Sequence, residues 1–122
     1  VLPRLKTDLV EIFQAIDQQR LNEIEIEIDP KTAVTVMLVS GGYPEAYEKG
    51  KEITGFKSIE NSIIFHAGAD HKDGKVLTSG GRVMAVTSFG EDIKSALNTS
   101  YESIKHIKFE NMNFRKDIGF DL

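Results

Sequence analysis

No stretch constrains this chain more than Ser79-Gly80-Gly81-Arg82-Val83-Met84-Ala85-Val86-Thr87. A glycine pair can present bare backbone N–H groups and turn tightly, because no Cβ intrudes. The residues from Arg82 to Thr87 then alternate as a half-buried strand, so the stretch demands a turn at the rim of a sheet. An arginine at that rim supplies a fork of donors suited to phosphate or carboxylate. The stretch predicts an anion site. A turn followed by a strand with one surface arginine satisfies the same spacing.

At 122 residues the chain has the size of one domain and can bury a real core. Its net charge of −4 argues against a general binder of nucleic acid or anionic membranes, while leaving room for a local basic pocket. There is no cysteine, so disulfides and thiolate metal sites are excluded, which fits a reducing cytoplasm. No apolar run approaches the roughly 18–20 residues of a membrane span, and no signal segment opens the chain. Val1-Leu2-Pro3 reads as a continuation, so the expectation is a piece of a longer chain.

Leu2, Leu5, Leu9, Ile12, Phe13 and Ile16 recur at helical spacing and predict an N-terminal amphipathic helix, with Pro3 in its first turn. Glu23 to Ile28 alternates strictly and predicts a strand with an acidic face. A helix-to-sheet junction falls near Asn22. Ala33 to Val39 predicts a buried strand ending at Ser40-Gly41-Gly42-Tyr43-Pro44. Glu45 to Gly50 predicts one helical turn and Lys51 to Ile53 a brief strand. Ser62 to Ala67 predicts a strand, Gly68 to Gly74 a hydrophilic turn, and Lys75 to Thr78 a short strand. With Arg82 to Thr87, the segment from Lys51 reads as a compact antiparallel meander. Ser88 and Glu91 have capping-box spacing. Ile93, Leu97, Tyr101, Ile104 and Ile107 then mark one face of a long helix ending near His106, and Phe109 to Phe114 returns as a strand.

Three groups of residues can carry chemistry. If Lys75 and Arg82 lie on consecutive strands of a hairpin, they can converge with Gly80 and Gly81 on one phosphate; scattered surface charges are the alternative. His66 and His71, with Asp70, are either polar strand-end residues or metal ligands, but no third ligand stands at a metal-site spacing. Arg115-Lys116-Asp117 fits an ion pair that pins the C-terminal tail, or a ligand contact. Ser40, Ser79 and Ser88 lie near turns, none of them in a nucleophile elbow, and there is no phosphate-cradling P-loop. The residues speak for binding more readily than for catalysis.

Several ordered segments carry a resemblance: RLKTDLVEI at Arg4 to Ile12, AVTVMLVSGGYP at Ala33 to Pro44, FHAGA at Phe65 to Ala69, TSGGRVMAVTSFG at Thr78 to Gly90, and FRKDIG at Phe114 to Gly119. In these the chain resembles the C-terminal region of the phosphoribosylamine–glycine ligases (glycinamide ribonucleotide synthetases) of the ATP-grasp superfamily. The resemblance implies an α+β fold: a small antiparallel sheet or meander with a long helix in its C-terminal half, similar to a rudimentary single-hybrid motif. It implies a tail helix of the ATP-grasp region over residues 1–22 and a substrate-contacting domain over 23–122. It further implies a cytoplasmic enzyme of purine synthesis that joins glycine to 5-phosphoribosylamine using ATP and Mg2+ (or Mn2+) through a glycyl phosphate. The metal's carboxylate ligands are expected upstream of Val1, so neither cofactor is expected on this piece alone. By the same resemblance Arg82 contacts the ribose phosphate, Gly80 and Gly81 allow close backbone approach, Lys75 is a second phosphate contact, and Arg4 faces the site or forms a structural ion pair. The partners implied are a ribose-phosphate substrate and the missing N-terminal and ATP-grasp domains, with no nucleic acid and no membrane. The alternative is a stand-alone α+β anion-binding or interaction module without catalysis.

Overall fold

A computed structural model describes residues 1–120; residues 121 and 122, the end of the second expected domain, lie outside the described residues. Two nine-residue strands form its centre. β1 (Thr32–Ser40) and β5 (Arg82–Gly90) pair antiparallel from Thr32 opposite Gly90 to Val39 opposite Arg82. β2 (Ile63–His66) adds to the free edge of β5, and β6 (Met112–Asn113) to that of β1, giving the order β2-β5-β1-β6. Both central strands are rich in β-branched and apolar residues, which suits a pleated surface buried on one face. The α+β class and antiparallel pairing agree with the resemblance.

α2 (Ile93–Ile104) lies across β1 and β5, and the core gathers beneath it: Val36, Leu38, Val83, Met84, Val86 and Ile104 are nearly or wholly buried. The helix turns a different face inward than its large apolar residues predict. Ala96, Ser100, Ser103 and Ile104 are buried, while Leu97 and Tyr101 pack at the margin and Ile93 is exposed. Small residues let the helix sit close to the sheet, and the hydroxyls are satisfied by one another. Ser100 Oγ donates to Ser88 Oγ at 2.8 Å, and Ser62 Oγ bridges Ser88 and Ser103 at 2.7 and 2.6 Å. Buried polar groups persist where each has a partner.

Several expectations need correction. Ser88 does not cap the helix, because β5 continues to Gly90 to pair with Thr32 and buries Ser88 under α2. The cap is Asp92, whose Oδ1 accepts from Ser95 N–H at 2.7 Å while Ser95 Oγ accepts from Asp92 N–H at 3.2 Å. Gly68 to Gly74 is not one turn: β3 (Ala69–Lys72) pairs with β4 (Lys75–Thr78) in a hairpin turned by Asp73 and Gly74 at φ 51° and 77°. That hairpin forms its own two-stranded sheet, so strand pairing skips from β2 to β5 and is not sequential. Lys51 to Ile53 borders β4 through an isolated bridge, Glu45 to Gly50 forms no helix, and the strand expected at Phe109 to Phe114 shortens to β6.

The N-terminal helix also divides. Leu2–Arg4 is a single 3-10 turn, and α1 (Leu9–Asp17) starts afresh where Asp8 Oδ1 accepts from Val10 N–H at 2.7 Å. Glu23 to Ile28 forms no strand. It runs beside Leu5 to Thr7, held by Lys6 N–H to the Glu27 carbonyl at 2.9 Å and one bridge between Leu5 and Ile28. Alternation needs a partner of matching length to become a ladder, and this neighbour is too short. Val10, Phe13, Ile16 and Ile28 are left more than half exposed.

Two outcomes follow for stability. Ser88→Ala strips Ser100 of its acceptor in a buried setting and is expected to cost about 1–3 kcal/mol in urea unfolding. Ser103→Ala should cost less than Ser88→Ala, because Ser62 keeps Ser88. The Ser95 backbone N–H, bonded to Asp92, holds that carboxyl below the usual carboxylate range. A carboxyl lowered in the folded state stabilises it above the unfolded value, near pH 4, and loses that contribution as the pH falls through the lower folded value. Asp92→Asn, which caps without charge, should therefore lose less stability than the parent below about pH 4 when Tm is followed against pH.

Candidate functional site

Strict alternation along β5 would aim Arg82 with Met84 and Val86 toward α2. A bulge prevents this. Leu38 lies opposite Met84, yet the next residue of β1, Val39, lies opposite Arg82, so Val83 is an extra residue in β5. Residues directly opposite each other share a face, which puts Val36–Val86 and Leu38–Met84 under the helix and Thr35–Thr87 and Met37–Ala85 on the other side. The extra residue moves Arg82 onto that second face, beside Val39, and leaves Val83 fully buried. α2 lies on the opposite face, and Ile63 and Phe65 of β2, opposite Thr87 and Ala85, stay 42% and 43% exposed on this one.

The glycine pair shapes this rim, though by a different route from the one its sequence suggests. Gly80 crosses Gly68 so closely that a Cβ on Gly68 would stand 2.7 Å from Gly80 Cα. The Gly80 N–H is not bare: it and the Ser79 N–H donate to the Gly68 carbonyl at 3.1 and 2.8 Å. Gly81 lies under the ring of Tyr43, where an added Cβ would fall 2.0 Å from Cδ2. Ser40 ties the two segments together, its N–H donating to the Gly81 carbonyl at 2.8 Å and its Oγ to that of Gly80 at 3.1 Å. The close approach at both glycines is thus made by protein.

Arg82 lines a cavity of about 550 Å³ whose floor is Thr35, Met37 and Val39 and whose walls include Tyr43, Asn113 and Arg115. Arg115 follows β6 and makes the ion pair expected of the Arg115-Lys116-Asp117 run: Nε and Nη2 donate to the Asp117 carboxylate at 2.9 and 3.1 Å. That bonding holds the Asp117 carboxyl below its usual range. The backbone there is anchored, with Tyr101 Oη donating to the Arg115 carbonyl at 3.1 Å and the Tyr101 and Phe114 rings 6.2 Å apart.

The other candidates lie elsewhere. Lys75 is on β4, in the smaller sheet, so it and Arg82 do not share a hairpin, and its Nζ pairs with Glu52 at 2.8 Å. Arg4 Nε donates to the Asp29 carbonyl at 2.9 Å within the N-terminal arm. The His66 ring stands edge-on to Phe56 at 5.4 Å, and His71 lies in β3. Among the described residues no group of three or more His, Cys, Asp or Glu comes together as a metal site. A smaller cavity of about 250 Å³ beside Tyr47 holds Lys51 between Glu48 and Glu110, at 2.7 and 3.0 Å. The bond to Glu48 raises the Lys51 pKa. Sequence spacing had singled out neither this triad nor the part played by Tyr43 and Asn113, which reach the large cavity only through the folding of three separate segments.

The sequence model of the family described as "Phosphoribosylglycinamide synthetase, C domain" matches residues 33–121. The chain is 42% identical over 119 residues to the phosphoribosylamine–glycine ligase of Caldanaerobacter subterraneus, covering 98% of this chain and 28% of that protein. It is 45% identical over 121 residues to the bifunctional purine biosynthetic protein ADE1 of Schizosaccharomyces pombe, covering 98% of this chain and 15% of that protein. Among solved structures it is similar to the phosphoribosylamine–glycine ligase of Thermotoga maritima, with a TM-score of 0.70 and 37% identity over 88% of this chain and 27% of that one. The chain therefore spans little more than a quarter of the length of these ligases. With its α2 helix, the Arg82 rim and all of its sheet but Thr32 inside the matched residues, the chain belongs to the phosphoribosylglycinamide synthetase C-domain family.

Proposed function

We propose that the chain works as the C-terminal part of a cytoplasmic phosphoribosylamine–glycine ligase, and that its own task is to hold the ribose phosphate of 5-phosphoribosylamine at Arg82. In that enzyme ATP would activate the glycine carboxylate as glycyl phosphate, and the phosphoribosylamine nitrogen would displace the phosphate to form the amide. The single observation behind the reading is the bulge that turns Arg82 out of the core and onto the face opposite α2, above a partly apolar floor. The arginine is exposed there, where a phosphate can reach its guanidinium and form charge-assisted hydrogen bonds.

The other parts of the reading follow from the same family. Gly80 and Gly81 keep the rim thin, so that Tyr43 and Arg82 border one space. Lys75 would reach a phosphate by leaving Glu52, an exposed pair that holds it weakly. Arg4 would face the site from the arm. ATP and Mg2+ would be held by the rest of the longer protein, as the family resemblance implies. Residues 1–22, whose helix presents Val10, Phe13 and Ile16 to solvent, would be the tail of the ATP-grasp region and pack against it. No helix among the described residues is long and apolar enough to cross a membrane, and none is needed for this role.

Two substitutions in the complete ligase test the assignment. Arg82→Ala should raise KM for phosphoribosylamine by on the order of 10-fold or more while shifting KM for ATP little; equal shifts, or none, would remove the assignment. Gly81→Ala drives its new methyl into the Tyr43 ring and should also raise KM for phosphoribosylamine. Adding Tyr43→Ala removes the clash, so the double variant should regain affinity relative to Gly81→Ala.

A further inference from the structure

The cavity at Arg82 holds a second arginine, and its charge is out of keeping with the chain. The protein carries 19 acidic against 15 basic residues, yet this cavity is lined by Arg82 and Arg115 and by no carboxylate. The two arginines come from opposite sides of one row. Val39 is opposite Arg82 on β5 and opposite Asn113 on β6, so Arg82 and Asn113 flank it on the same face. Two strand spacings separate the flanking backbones by about 10 Å. Arg115 follows Asn113 by two residues and lines the same cavity, so both guanidiniums can reach a tetrahedral anion above Val39.

We propose that Arg115 is a second cationic ligand for the sugar phosphate assigned above to Arg82, and that Asp117 is an internal anion the phosphate displaces. The inference rests on the phosphate reading of Arg82 given above and extends it to a residue on another element. Asp117 engages Arg115 through two hydrogen bonds, but both side chains are more than half exposed, and ion pairs of that kind contribute little. A phosphate monoester carries up to two negative charges and three acceptor oxygens. It can therefore take over the guanidinium. Only the side chain need move, because Tyr101 Oη and the Tyr101–Phe114 ring contact hold the backbone of this segment. Asn113 keeps its amide NH2 for a sugar hydroxyl, since its Oδ1 accepts from the Phe114 N–H at 2.9 Å, while the Thr35 hydroxyl on the floor is paired with Thr87 at 2.8 Å.

The test is titration of the complete ligase with ribose 5-phosphate, read by calorimetry, alongside ribose and inorganic phosphate. Ribose 5-phosphate should bind and the other two should bind at least about tenfold more weakly. Arg115→Ala should weaken ribose 5-phosphate at least about tenfold, Arg115→Lys should recover part of the loss, and Asp117→Asn should tighten binding. Thermal unfolding of the same variants checks that the fold is intact. Unchanged affinity in Arg115→Ala overturns the second ligand, and if Arg82→Ala still weakens binding, the reading of Arg82 survives alone. Loss of effect in both variants removes both. Equal affinity for inorganic phosphate overturns the sugar, and unchanged affinity in Asp117→Asn overturns the displacement.

Discussion

The antiparallel ladder between β1 and β5 is the constraint on which the molecule depends. It joins segments about 50 residues apart in sequence, as the hydroxyl contact between Thr35 and Thr87 at 2.8 Å shows. Closing such a loop costs entropy before any contact repays it. The repayment is concentrated in two cross-strand pairs, Val36–Val86 and Leu38–Met84, whose four side chains are fully buried beneath α2. Each such side chain contributes about 1.5–3 kcal/mol on leaving water. β2 pairs with β5, β6 pairs with β1, and α2 lies across both central strands.

The same ladder fixes the site. Because side chains alternate with period two, one extra residue at Val83 reverses the facing of everything beyond it. The reversal leaves the core intact, since Val83 itself fills space beneath the helix. It affects only Arg82 and the glycine turn before it. The cluster of Ser62, Ser88, Ser100 and Ser103 works on the other face, setting how closely and in what orientation the helix lies on the sheet. Packing on one face and the facing of Arg82 on the other are therefore set through one pair of strands.

What could be read in advance follows the range of the forces involved. β1, β4, β5 and the body of α2 announce themselves locally, through β-branched runs and helical spacing between turn residues. Elements whose identity depends on a distant partner do not. Glu23 to Ile28 alternates as well as any strand but meets only Leu5 to Thr7, while the polar Ala69–Lys72 becomes a strand because Lys75–Thr78 turns back on it. Ser88 has the spacing of a cap, yet the pairing of Gly90 with Thr32 claims it for β5. At the site, Arg82 was visible and its facing was not: a bulge is a relation between two strands, and no single strand encodes it. Gly80 and Gly81 were visible as places of close approach, but which partner approaches, Gly68 and Tyr43, depends on the assembled fold.

The charge of the cavity poses a question that magnitudes can answer. At about 10 Å, the separation of the two flanking backbones, like charges repel by only about 0.4 kcal/mol in water, and salt at physiological strength reduces this further, its screening length being about 8 Å. An empty, hydrated cavity therefore tolerates both arginines at little cost to the fold. Attraction to a dianion grows on both counts once the anion displaces water, because the charges come closer and the medium between them becomes less polar. Asp117, reaching Arg115 from the chain two residues on, is held at the solvent side and does not line the cavity. A carboxylate on the floor would have neutralised the site permanently. Asp117 is instead exposed beside Arg115 and outside the lining of the cavity, which is what the proposed displacement requires.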